Sequence, residues 1–168
     1  TQLVAADKDS AQPVTEKSVM FRPGRQGNPA EVWDIPAVQE RVGVEHPTQV
    51  IDILGLQGDS ADNIPGIPGI GPKTAAKLIQ KYGSVEGLLE HTHELKGKQK
   101  ENVENFAEQG RMSKVLATII TDVPVDLEWS DLKVTPIHKE RLRELFAELE
   151  FRTLAKRVLG EELTTVSE

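Results

Sequence analysis

The sequence predicts a mainly α-helical protein with a few short β-strands. Near the N-terminus, short apolar stretches at residues 2–6, 19–21 and 31–33 are separated by polar residues and by a loop rich in proline and glycine, which is typical of short strands and a hairpin. We expect the first of these strands to be buried. From residue 35 onward, apolar residues mostly recur every three to four positions, as in amphipathic helices. With 168 residues, of which 38% are hydrophobic, the chain can bury a core of modest size.

Helices are predicted where an apolar face coincides with a residue that starts or stops a helix. Pro36, Pro47 and Pro72 each stand in the first turn of a predicted helix, where the missing N–H is not needed. Gly83 ends the third of these helices, and Ser84 caps the next one. The predicted helices cover residues 35–42, 47–56, 73–82, 85–90, 98–108, 112–118 and 139–159, the last as one helix or a pair.

The net charge is −7, but the basic residues are concentrated in one segment. Residues 64–100 carry six basic and three acidic side chains, whereas residues 1–63 and 101–168 are each acidic by five charges. A local basic surface can attract phosphate whatever the total charge of the protein. Aromatic residues make up only 4% of the chain, which argues against a surface that stacks on bases.

The segment at residues 66–71, Gly-Ile-Pro-Gly-Ile-Gly, predicts a tight turn between two helices. Its last two glycines allow close approach of a ligand to the backbone, and the first turn of the next helix leaves N–H groups free. Lys73, Lys77 and Lys81 lie on one face of that helix. A plain connecting turn with a solvated lysine face is the alternative. The glycines and lysines together favour a helix-hairpin-helix, which holds duplex DNA without reading its sequence.

Two pairs of aspartates are candidate metal ligands. Asp7 and Asp9 follow the first predicted strand, where alternate side chains point the same way. Asp59 and Asp62 are three residues apart in a segment that we expect to be helical, so they share a face and can converge on one ion. Carboxylate oxygens suit Mg²⁺ or Mn²⁺, and two such ions can promote phosphodiester cleavage. For either pair alone, helix capping or turn formation is the alternative, and Lys8 is interpreted as a solvated or charge-balancing side chain.

These motifs resemble the 5′ nuclease domain of bacterial DNA polymerase I, within the flap endonuclease superfamily. The resemblance covers about residues 1–157 and implies the C-terminal part of the 5′-nuclease α/β fold, carrying a helix-hairpin-helix (helix-3-turn-helix) motif. The residues that carry it are Asp7-Lys8-Asp9 with Gln12, and residues 58–66, 69–75, 81–84 and 149–152.

The resemblance also implies an activity, a DNA partner and roles for particular residues. It implies a metal-dependent 5′-3′ exonuclease or flap endonuclease that serves DNA replication and repair, fused to a DNA polymerase. Its partner would be double-stranded DNA with a 5′ flap or nick, and a K⁺ ion would bind to carbonyls of the hairpin. The implied catalytic metal ligands are Asp7, Asp9, Asp59 and Asp62. The implied DNA contacts are Gly66, Gly69, Ile70, Gly71, Lys73, Thr74 and Lys77.

The predicted regions are part of the catalytic core at residues 1–63, a DNA-binding region at 64–159 and a linker or tail at 160–168. The family domain is longer than the matching part, so we expect an incomplete two-metal site and no cleavage by this chain alone. A non-catalytic DNA-binding module and a protein-binding lysine face are the alternatives. The aspartate pairs argue against the first, and the hairpin glycines argue against the second. The chain has no cysteine and no apolar run of about 18 residues, so we expect a bacterial cytoplasmic protein near the nucleoid, away from membranes.

Overall fold

The computed structural model describes residues 1–25 and 27–160, which form two compact units divided between Asp122 and Val123. The predicted boundary between residues 63 and 64 falls inside the first unit. Apart from Gly160, the predicted tail lies outside the described residues. None of the helices in the described part of the chain combines the length and apolar character that a membrane crossing requires.

A three-stranded sheet opens the first unit and confirms the predicted strands. Its strands are β1 (Gln2–Val4), β2 (Val19–Arg22) and β3 (Glu31–Trp33). β2 is central, pairing in parallel with β1 and antiparallel with β3. The prediction that the first strand is buried is wrong. Val4 is 68% exposed, because β1 is an edge strand in the described sheet.

Helices make up most of the remaining structure, and most predicted helices are confirmed with small shifts at their ends. The four-residue α1 continues into a π-helical turn, Gln39–Gly43, and the 3-10 turn Pro47–Gln49 leads into α2. Further 3-10 turns lie at Lys8–Ala11, Thr92–Glu94 and Trp129–Leu132. The α-helices are α1 (Ile35–Val38), α2 (Val50–Gln57), α3 (Pro72–Tyr82), α4 (Val85–Glu90), α5 (Gly97–Asn105), α6 (Ala107–Ala117), α7 (Lys139–Glu148) and α8 (Arg152–Leu159).

One predicted helix break is misplaced. The break between α5 and α6 lies at Phe106, not at residues 109–111. Gly110 lies inside α6, where it allows the helix to pack closely on the hairpin. A Cβ atom at Gly110 would lie 2.9 Å from Cδ1 of Ile67. The glycine therefore serves close packing and does not end the helix.

The core of the first unit includes residues of α2, α3, α4 and α6, and a charged group is buried near it. Asp52 of α2 accepts the N–H of Val85 at 2.9 Å and pairs with Lys114 of α6 at 2.6 Å. Lys114 also pairs with Glu86 at 2.6 Å. Burial opposes a charge on Lys114, but its hydrogen bonds to the two carboxylates outweigh that effect and raise its pKa. This ionic group links α2, α4 and α6.

Candidate metal centre and nucleic-acid interface

Three carboxylates meet just after β1. Asp7, Asp9 and Asp62 each place an oxygen within 4.8 Å of the oxygens of the other two. Asp7 and Asp9 converge as predicted, but not through the alternation of a strand. Asp7 is the N-cap of the 3-10 turn that contains Asp9, and its Oδ1 accepts the N–H of Asp9 at 3.2 Å. Asp62 comes from the turn that follows α2.

In the described part of the chain, the Asp9 carboxylate has an unpartnered oxygen and a raised pKa, which are the properties expected of a carboxylate at a cation site. Its Oδ1 is buried and has no hydrogen-bond partner among the described residues. Burial, followed by the nearby charges of Asp7 and Asp59, raises the pKa of Asp9 from 3.8 to about 6. A cation at this position would bind the unpartnered oxygen and relieve the repulsion between the carboxylates. The cluster therefore fits a hard divalent metal ion.

Asp59 lies near this cluster but has a different partner. The predicted helix around Asp59 is wrong, because the segment is a tight turn closed by paired backbone hydrogen bonds between Asp59 and Ile64, at 2.7 and 2.8 Å. The Asp59 side chain is 6% exposed and pairs with Lys8 at 2.7 Å. The hydrogen bond from Lys8 is the main cause that lowers the pKa of Asp59. Lys8 thus balances the charge of Asp59, which confirms one of its two interpretations.

Polar side chains of α5 and α6 form hydrogen bonds with the backbone of the hairpin at residues 66–71. Gly66 is buried, with its N–H bonded to Oγ of Ser113 at 3.0 Å and its carbonyl bonded to Nε2 of Gln109 at 2.7 Å. Asn102 donates from Nδ2 to the carbonyl of Pro68 at 2.7 Å. These three side chains were not predicted from the sequence, since they lie more than 30 residues from the hairpin.

Two of the predicted DNA contacts, Gly66 and Ile70, are buried and form hydrogen bonds within the protein. The backbone groups of Gly66 are bonded inside the protein, so a direct contact with DNA does not fit the structure. Ile70 is 5% exposed, and its N–H donates to the carbonyl of Ile67 at 3.1 Å. Thr74 is half-buried, and its N–H donates to the carbonyl of Gly71 at 3.0 Å. Only the Thr74 side chain remains a possible contact at that position.

The outer side of the hairpin presents free backbone donors. Gly69, Gly71 and Lys73 are exposed, and their N–H groups have no partner within residues 1–25 and 27–160. Gly69 has a φ of +82°, which favours glycine there. A Cβ atom at Gly71 would have no neighbour within 4 Å, so the space outside it is open. These donors lie at and just before the first turn of α3, where the helix dipole favours an anion.

Two of the three predicted lysines extend this donor surface. Lys73 and Lys77 are exposed and have no ion-pair partner in the described part of the chain. Lys81 pairs with Glu94 at 2.7 Å, so its charge is already balanced. The free hairpin N–H groups together with Lys73 and Lys77 are called the docking surface below. It offers donors and positive charge to an anion and no group shaped to read a base edge.

Known proteins share sequence similarity with most of this chain. Residues 45–140 match the family model described as 5′-3′ exonuclease, C-terminal SAM fold. The chain is 42% identical to DNA polymerase I of Bacillus subtilis over 96% of this chain and 18% of that protein. It is 35% identical to a 5′-3′ exonuclease of Aquifex aeolicus over 94% of this chain and 52% of that protein. The chain therefore spans about a fifth of the polymerase and about half of the exonuclease.

Solved structures show the same fold. The T5 5′-exonuclease with bound divalent metal ions (zinc) is 25% identical, with a TM-score of 0.60 over 69% of this chain and 42% of that chain. A bacteriophage T5 flap endonuclease, solved as a pseudo-enzyme–product complex with DNA and metal ions, is 24% identical, with the same TM-score and coverage.

Proposed function

Because this chain belongs to the 5′-3′ exonuclease family, in the part with the C-terminal SAM fold, we propose that it forms the DNA-docking half of a metal-dependent 5′-3′ exonuclease or flap endonuclease. In this proposal it acts within a longer chain that includes a DNA polymerase, as the similarity to DNA polymerase I suggests. The observation that carries the proposal is the docking surface, which places free backbone donors beside two unpaired lysines.

The docking surface would hold the backbone of duplex DNA. Lys73 and Lys77 would neutralise phosphates, while the N–H groups of Gly69 and Gly71 would donate to phosphate oxygens. The carbonyls of Gly69 and Ile70 have no partner among the described residues and are candidate ligands for a K⁺ ion. Contacts of this kind fix the position of DNA without selecting a sequence. The proposed ligand is a duplex that carries a 5′ flap or nick.

The aspartate cluster would supply the metal site. Asp7, Asp9 and Asp62 would bind Mg²⁺ or Mn²⁺, and Asp59 would join them if Lys8 were displaced. When bound, such ions activate a water and stabilise the leaving oxygen of the cleaved phosphodiester. The residues of this chain would hold and orient the ions, while the remaining ligands would come from the rest of the parent protein.

A non-catalytic helix-hairpin-helix module is the second candidate function. It would use the same docking surface, but it would have no need for the unpartnered Oδ1 of Asp9 beside two other carboxylates. The aspartate cluster therefore favours the nuclease. Its proposed place of action is the bacterial cytoplasm, at the nucleoid.

The docking surface makes a direct prediction about salt. Binding to a short duplex should weaken with KCl at a log–log slope of about −2 to −4, because each neutralised phosphate contributes roughly −0.9. Lys73→Gln and Lys77→Gln should each reduce that slope by about one unit. Lys81→Gln is the matched control, because Lys81 is already paired with Glu94 and should change the slope little. Fluorescence anisotropy at several KCl concentrations measures all four proteins.

The same assay can reject the docking surface. Gly71→Val should weaken binding without unfolding the protein, since it fills the open space that the DNA backbone would enter. Full affinity in a folded Gly71→Val protein, or an equal loss in all three lysine variants, would show that the hairpin is only a turn.

The metal site predicts different outcomes for two neighbouring aspartates. Asp62→Asn should weaken Mn²⁺ binding at least tenfold, because it removes an exposed carboxylate from the cluster. Asp59→Asn should weaken it less, since its carboxylate is occupied by Lys8. Asp126→Asn, at an exposed aspartate of the second unit, is the control. Calorimetric titration of Mn²⁺ separates these outcomes, and unchanged binding in Asp62→Asn would remove this residue from the site.

A further inference from the structure

A second positively charged region lies at the β2–β3 hairpin, outside the docking surface and the aspartate cluster. It surrounds a cavity of about 290 Å³, which is at the lower end of the range for small-ligand sites and suits a group of phosphate or nucleotide size. The cavity is lined by Ala6, Arg22, Pro23, Arg25, Asn28, Pro29 and Glu31.

The charge of this cavity is net positive. Its one acidic residue, Glu31, pairs through Oε1 with Arg41 at 3.0 Å and accepts the indole N–H of Trp33 through Oε2 at 2.9 Å. The hydrogen bond from Trp33 is the main cause that lowers the pKa of Glu31, so this carboxylate is ionised and both its oxygens are engaged. The charge of Glu31 is thus balanced by Arg41, which does not line the cavity. Arg22 also acts on the charge of Glu31 and contributes to its lowered pKa, so the two arginines and one glutamate of the lining leave a net positive charge.

Arg22 is held in place but not fully bonded. One of its terminal nitrogens donates to the carbonyl of Ala6 at 3.1 Å, and its guanidinium lies 4.6 Å from the centre of the Trp33 ring. Its Nε is buried and has no partner among the described residues. A buried donor without an acceptor is unfavourable. The guanidinium is held in one position by Ala6 and Trp33, which suits the binding of an anion by its remaining N–H groups.

The loop that carries Arg25 folds back tightly. The N–H of Asn28 donates to the carbonyl of Arg25 at 2.9 Å. A Cβ atom at Gly24 would lie 2.4 Å from the carbonyl oxygen of Asn28, so only glycine permits this close approach. The side chains of Arg25 and Asn28 have no partner in the described part of the chain. Two further donors are therefore available at the wall of the cavity.

We propose that this Arg22–Arg25 cavity binds a phosphate group of a nucleic-acid strand close to the aspartate cluster. Ala6 forms part of its wall and directly precedes Asp7, so the two sites adjoin in the chain. Guanidinium groups match phosphate because they present paired N–H donors in a plane. The proposal rests on the proposed function for the identity of the strand. The phosphate is either an internal phosphodiester or a terminal 5′-phosphate, which share this chemistry.

The first test uses inorganic phosphate and does not depend on DNA docking. In ¹H–¹⁵N spectra of the full chain, phosphate at constant ionic strength should shift the Nε–H signal of Arg25 and the side-chain amide of Asn28 in a saturable way. Arg25→Gln should abolish the shift of the Asn28 amide, and Lys73→Gln should leave it intact. If phosphate leaves the Arg25 and Asn28 signals unmoved while the protein still binds DNA through Lys73, the cavity does not bind phosphate. The proposed function would then be unaffected. Intact phosphate shifts in a protein that binds no DNA would contradict the proposed function instead.

The second test identifies the source of the phosphate. Arg25→Gln should reduce the salt slope of duplex binding by roughly 0.9, as expected for one lost phosphate contact. Lys17→Gln, which removes an exposed charge outside the cavity, is the control and should change the slope less. If the loss occurs only with 5′-phosphorylated duplexes, the ligand is the terminal phosphate, and if it is equal for 5′-hydroxyl duplexes, the ligand is internal. Wild-type affinity and slope in Arg25→Gln with both duplexes would overturn the proposal.

Discussion

Gly66→Ala is expected to destabilise the first unit by roughly 3–5 kcal/mol and to lower its melting temperature by about 10 °C. Gly66 has a φ of +62°, which strains any residue with a side chain. A Cβ atom there would lie 2.3 Å from the backbone nitrogen of Gly58 and 2.5 Å from the backbone carbon of Gln57. Both obstacles are main-chain atoms, so no rotamer change can relieve the clash.

Gly71→Ala is the matched control, five residues along the same hairpin. Gly71 has a φ of −91°, and an added Cβ atom would meet nothing within 4 Å. This protein should melt within a few degrees of the wild type, or slightly above it, because alanine restricts the unfolded chain more than glycine does. Thermal melts followed by circular dichroism compare the three proteins. Equal melting temperatures for Gly66→Ala and Gly71→Ala would show that the two glycines do not differ in role as the structure indicates.

The contrast between Gly66 and Gly71 shows which features of the hairpin could be predicted from the sequence and which could not. The start and stop of α3 were predictable, because Pro72 and Gly83 determine them through local backbone chemistry. The different roles of Gly66 and Gly71 were not, since the distinction depends on contacts with Gly58 and with open space. Of the three side chains that hold the hairpin, Asn102 and Gln109 had no local signal either. The one available hint was Ser113, a small polar residue among the apolar positions of α6, which proves to be fully buried.

The aspartates show a similar limit. Their number and spacing predicted a metal site, and three of the four do lie together. Which three lie together could not be predicted from spacing. Lys8, 51 residues earlier in the chain, pairs with Asp59, which lies in a turn that was predicted to be a helix. The Arg22–Arg25 cavity was missed for a related reason. Arg22 ends β2 and Arg25 lies in the loop of a correctly predicted hairpin, but the role of Glu31 depends on its bonds to Trp33 and Arg41.

The Asp9→Asn protein is expected to be more stable than the wild type without metal and less stable than the wild type with metal bound. Without metal, the pKa of Asp9 is raised from 3.8 to about 6, so the folded state binds more protons than the unfolded state between these values. Stability therefore falls as the pH rises through this window, and above it the wild type carries the full penalty. The shift alone corresponds to about 3 kcal/mol, but solvent screening of this partly exposed group reduces the effect to roughly 1 kcal/mol. Asp9→Asn should gain that amount at pH 7.5.

Metal should oppose this gain. A divalent ion at one hundred times its dissociation constant stabilises the folded state by about 2.7 kcal/mol, or roughly 5–10 °C in a protein of this size. At pH 7.5, Asp9→Asn should therefore melt above the wild type in EDTA and below it in saturating Mn²⁺. At pH 4 without metal, the two proteins should melt together, because Asp9 is then largely protonated in the folded state. Asp62→Asn should have a smaller response to Mn²⁺ as well, which links the effect to the whole cluster. If Asp9→Asn melts below the wild type in EDTA at pH 7.5, its carboxylate is satisfied by the protein itself, and the case for a cation at that oxygen fails.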